Sequence, residues 1–85
     1  MDKNISKLRW KCRRGMLELD LCLTQYLDHR YLQATLDEQA DFDALLSEAD
    51  PDIWAWLMGT KKPAQPLASI VNKIQIQNNI PIFIE

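Results

Sequence analysis

An all-α, compact single-domain bundle of about five helices is the fold this sequence predicts, and three observations predict it. Apolar residues recur at helical spacing along most of the chain. Recognisable starts and stops bound the segments, among them T-x-x-E at Thr35 to Glu38, D-P at Asp50 and Pro51, and a glycine at Gly59. Eighty-five residues leave room for one core and not for two, so residues 1–85 are expected to form one helical domain.

Each element follows from its own residues. Ile5, Leu8 and Cys12 recur at i, i+3, i+7 among lysines and arginines, which predicts an amphipathic helix from about Ser6 to Arg14. The next segment is ambiguous by pattern. Leu17, Leu19, Leu21 and Leu23 alternate like a strand, whereas Met16, Leu19, Leu23, Tyr26 and Leu27 keep the helical period. Residue type decides for a central helix from about Met16 to Arg30, because leucine, glutamate, methionine and glutamine favour helix and only Thr24 is β-branched.

Thr35 and Glu38 form a capping box for a third helix, from about Leu36 to Ala49, in which Phe42, Leu45, Leu46 and Ala49 share a face. Asp50 is expected to cap a fourth, short helix with Pro51 at its first position and Gly59 as its stop, burying Ile53, Trp56 and Leu57. Trp56 reads as core, while Trp10 and Trp54 could be partly exposed anchors. After the polar stretch TKKPAQP, Leu67, Ile70, Val71 and Ile74 build the last helix to about Asn78. Residues from about 79 to 85 should form an extended tail, because Pro81 cannot continue a helix. A two-strand hairpin about Asn78 and Asn79 is the alternative for KIQIQNNIPIFIE.

Composition excludes several classes of function. Apolar residues are 47% and charged residues 26%, ordinary for a globular domain and too apolar for disorder. The absence of an 18-residue apolar run and of an apolar signal core points to a cytoplasmic protein with no stable membrane insertion. Cys12, Cys22 and His29 match no common zinc spacing and lack a fourth ligand, so both cysteines read as small core hydrophobes. A single histidine and scattered serines offer no catalytic constellation, and the two glycines are too far apart for a phosphate loop. The chain is therefore not expected to be an enzyme.

Charge is unevenly placed although its net value is −2. Residues 1–15 carry Lys3, Lys7, Arg9, Lys11, Arg13 and Arg14 against Asp2, a local +5, whereas residues 16–52 carry ten acidic residues against Arg30, a local −9. Either the two regions meet a charged partner, or they are helix faces that lie near each other. Trp10 among basic residues permits a nucleic-acid reading, which the acidic middle opposes.

RRGMLELD, residues 13–20, places a glycine between two helices. Glycine there costs about 1 kcal/mol relative to alanine if it is helical, so either the chain bends at Gly15 or something approaches its backbone. Arg14 and Glu18, if helical, would stand four apart beside that bare spot. They form either a simple surface ion pair or a docking patch for a protein.

Arg14, Gly15 and Glu18 resemble the R-G-x-x-E signature of the succinate dehydrogenase FAD assembly factor family. DPDIWAWLMG at residues 50–59 and the KKPA after it also resemble that family, so the likeness spans nearly the whole chain except its isoleucine-rich tail. The resemblance implies a five-helix protein that binds the flavoprotein subunit of succinate dehydrogenase, or of the related fumarate reductase, and promotes covalent FAD attachment. It implies a partner-binding role for Arg14, Gly15 and Glu18, and no stably bound cofactor. An antitoxin half of a toxin–antitoxin pair is the other role described for such proteins.

Overall fold

The computed structural model describes residues 3–80, with side chains from Ile5 onward. Five α-helices, α1 (Lys3–Lys11), α2 (Leu17–His29), α3 (Leu36–Leu45), α4 (Asp50–Met58) and α5 (Ala68–Gln77), are supplemented by single 3-10 turns at Tyr31–Gln33 and Gln65–Leu67. One apolar cluster joins all five. Leu8, Leu19, Leu23, Tyr26, Phe42, Leu45, Ile53, Leu57, Ile70 and Ile74 lie at its centre. Tyr26 and Phe42 meet with ring centroids 4.8 Å apart, and Tyr31 tilts against Phe42 at 5.7 Å.

The residues in helical period on α2 are the ones that turn inward. Leu19, Leu23, Tyr26 and Leu27 are buried, while Leu17 and Leu21 of the competing alternation are exposed. α2 is therefore central but not apolar on every side.

Helix α1 runs three residues earlier than expected at both ends. The amide of Cys12 donates to Leu8 and Arg9 and that of Arg13 to Trp10, after which the chain leaves the helix. Helix α3 also stops early, at Leu45, because the carbonyls of Leu46 and Glu48 turn toward Arg14 instead of continuing the ladder. The capping box at its start is half-formed. Thr35 accepts from the Glu38 amide at 3.1 Å, but the Glu38 carboxylate goes to Tyr26 and Lys73.

At the start of α4, Ala49 and not Asp50 is the N-cap, and Pro51 lies within the first turn. The helix ends as a Schellman motif, in which left-handed Gly59 (φ 79°) lets the Thr60 amide reach Ala55 at 3.0 Å. Two further carbonyls of this end, of Trp56 and Leu57, accept the buried Gln75 amide of α5 at 3.4 and 3.0 Å. Burial of that amide is tolerated because the orphan carbonyls of a helix end need donors.

Residues 73–77 are helical, which overturns the hairpin alternative. Asn78 closes α5 and ties it to α2, its side-chain amide donating to Ile74 at 2.9 Å and Cys22 at 3.1 Å. The expected extended tail falls mostly on residues 81–85, outside the described residues.

The uneven charge resolves within the fold. Arg9 pairs with Asp28 at 2.7 Å, Lys11 with Asp43 at 2.9 Å and Arg14 with Asp50 at 3.1 Å, so the basic N-terminal region lies against the acidic middle.

Candidate functional site

Arg14, Gly15 and Glu18 sit at the junction of α1 and α2, but they face different ways. Arg14 precedes α2, so the i, i+4 pairing with Glu18 does not form. Its side chain is only 12% exposed and turns into the gap between α3 and α4. There the guanidinium donates to the carbonyls of Leu46 and Glu48 and to Asp50 Oδ1. Its Nε is buried without a hydrogen-bond partner.

Two aspartates complete the arrangement. Asp20, in the first turn of α2, accepts the Arg14 amide, and Asp50 Oδ2 accepts the Gly15 amide at 3.2 Å. The two carboxylates thus hold consecutive amides of the Arg14–Gly15 loop from two different helices. Sequence reasoning gave Asp50 to helix capping and Asp20 no role. Nothing local in the sequence marks either aspartate for this role, because the inward turn of Arg14 depends on α4 being in place.

Gly15 is exposed, with a backbone outside the left-handed region. A Cβ placed on it would meet only Asp50 Oδ2, at 3.9 Å. Among the described residues, therefore, nothing requires glycine at position 15. Glu18 is also exposed, on the first turn of α2 beside Leu17 and Leu21. The open space over Gly15, with Asp50 Oδ2 at its edge, is a side-chain-poor notch in the loop that Arg14 anchors.

Burial pushes the Cys12 thiol up to about 11, and burial, with the nearby Glu18 charge, also raises Cys22. Among the described residues no group of three or more histidine, cysteine, aspartate or glutamate side chains could hold a metal ion. Trp56 is buried and Trp54 half-buried against the core, whereas Trp10 is 71% exposed with the Arg13 guanidinium 5.4 Å from its ring centroid. No helix among the described residues is long and apolar enough to cross a membrane.

Comparison with known proteins places the sequence in a family. Residues 6–78 match the family described as flavinator of succinate dehydrogenase. The FAD assembly factor SdhE of Legionella pneumophila (strain Lens) is 46% identical over 70 residues, covering 82% of this chain and 89% of the relative. The proteins of the same name from Vibrio cholerae and Coxiella burnetii are 42% identical over 74 residues and 41% identical over 70. These alignments cover 86% of this chain and 86% of the Vibrio relative, and 81% of this chain and 85% of the Coxiella relative. The matched span runs from α1 to the end of α5 and so includes the notch, the aspartates beneath it and the whole apolar cluster. The chain belongs to the family of flavinators of succinate dehydrogenase.

Proposed function

We propose that this protein is a cytoplasmic assembly factor that docks on the flavoprotein subunit of succinate dehydrogenase, and on that of the related fumarate reductase, to promote covalent FAD attachment. The observation that carries this reading is Gly15. A glycine that its own fold does not demand, exposed in a loop whose amides are already held by two aspartates, is explained by a visitor that needs the space.

In this mechanism Gly15 and Glu18 meet the partner directly, and Arg14 acts from below by fixing the loop between α1 and α2. The factor brings no catalytic group and holds no flavin of its own. Docking selects the conformation of the flavoprotein in which its histidine and the flavin stand in register, so binding energy is converted into orientation. A pre-formed loop serves this purpose because little ordering remains to be done on contact.

Covalent flavin in the isolated flavoprotein subunit, measured by fluorescence after denaturing electrophoresis, tests the proposal. Addition of the wild-type chain should raise it. Gly15→Arg should remove the stimulation while leaving the helical circular dichroism unchanged. A folded Gly15→Arg protein that still stimulates would end the notch mechanism. The antitoxin reading draws no support from the family or the relatives named above.

A further inference from the structure

We propose that a second surface, the groove between the outer faces of α1 and α2, clasps an acidic, apolar segment of the partner, with Trp10 and Arg13 as its anchors. This inference rests on the docking reading above and extends it to a second contact.

The groove is lined by Ser6, Arg9, Trp10 and Arg13 from α1 and the loop after it, and by Thr24 from α2. Leu17 and Leu21 continue the Thr24 stripe toward Glu18 at i, i+4, i+7, and they are 69% and 54% exposed. An indole and two leucines left in water on one side of a small domain form an apolar surface of the type that marks an interaction site.

Charge identifies the occupant. Arg9, Lys11 and Arg14 of this region are each paired with a carboxylate of the chain. Lys7 and Arg13 are not paired among the described residues, and of these two it is Arg13 that stands against the indole. Among the described residues its guanidinium lies over the Trp10 ring, and no carboxylate pairs with it. Any partner that covers Trp10 must also desolvate Arg13, and a desolvated guanidinium left unpaired is strongly unfavourable. The groove therefore accepts a segment that brings a carboxylate to Arg13 and an apolar side chain to the indole, and it rejects one that is only apolar. An acidic partner also gains from attraction during encounter, which salt weakens.

Titration of the full-length chain against the isolated flavoprotein subunit, by calorimetry at low and at high salt, tests the idea. Trp10→Ala should weaken binding at least about tenfold at both salt concentrations, the loss typical of an aromatic anchor. Arg13→Glu should weaken it by a similar factor at low salt and by less at high salt. Both side chains are exposed, so both variants should keep the wild-type helical signal. Wild-type affinity in both variants, with binding lost in Gly15→Arg, would overturn the second surface and leave the notch intact. Failure of the wild-type chain to bind at all would overturn the docking reading and this inference with it. Binding of a single-stranded oligonucleotide that Trp10→Ala abolishes would assign the groove to nucleic acid and remove the acidic-segment proposal.

Discussion

At the scale of single residues, the R-G-x-x-E pattern divides its labour. Arg14 is a fold residue, since it bridges two carbonyls after α3 and the carboxylate at the start of α4, while Gly15 and Glu18 are surface residues. Gly15→Ala should therefore leave thermal stability unchanged or raise it by up to about 1 kcal/mol, because the methyl group enters open space and the unfolded chain loses freedom. Asp50→Ala should behave in the opposite way. It strips Arg14 of its charge partner and Gly15 of its acceptor, at a cost of about 1–3 kcal/mol in urea unfolding, with Asp50→Asn falling between. Cys12 offers a third check. Fully buried and with its thiol pushed up to about 11, it should resist a thiol reagent at mildly alkaline pH until the protein is unfolded, as counted by reagent uptake. The presence of this motif was legible in the sequence; the direction of its arginine was not. Whether Arg14 points out or in depends on Asp50, which is 36 positions away and becomes a neighbour only when α4 is in place.

Among the elements, periodicity identified the buried faces, with one miss at Ala49, which lies exposed beyond the end of α3 instead of on its inner face. The set Met16, Leu19, Leu23, Tyr26 and Leu27 is half-buried at its first member and buried at the rest. Helix ends were less legible, because distant groups compete for the terminal amides and carbonyls. Arg14 takes the carbonyls that would have extended α3, and Asp20 takes the amide that would have extended α1. The local stop at Gly59 did hold, since a left-handed residue at that position satisfies the end of α4 without outside help. Gly59→Ala should accordingly lower stability by about 1 kcal/mol, seen as a drop in melting temperature with no change in helical content, because a Cβ is strained at φ 79°. Buried Gln75 is an example of what patterning cannot reveal. A polar residue on the inner face of α5 reads as a flaw until the open carbonyls of α4 are placed opposite it.

For the whole molecule, the bundle is tied across elements by charge as well as by its core. Lys73 of α5 meets the Glu38 carboxylate at 3.0 Å, and Tyr26 of α2 donates its hydroxyl to the same group. Burial pushes Glu38 upward, but the hydrogen bonds from Tyr26 and Lys73 outweigh it and leave the group below its ordinary 4.5. A carboxylate lowered on folding stabilises the folded state above its unfolded value, and that contribution disappears as pH falls through the folded one. Unfolding by urea near neutral pH and again well below 4.5 should show this. Glu38→Gln should cost about 1–2 kcal/mol near neutrality and much less in acid, so that its stability depends less on pH than that of the wild type. The inward arginine has a last consequence, for how lesions in the signature would look inside a cell. Loss of Arg14 would loosen the joint between three helices and expose the chain to proteases, so it should register as a shortage of protein. Loss of Gly15 or Glu18 should leave a normal quantity of inert protein. One short word in the sequence thus conceals two kinds of failure, and an immunoblot beside a flavin assay would tell them apart.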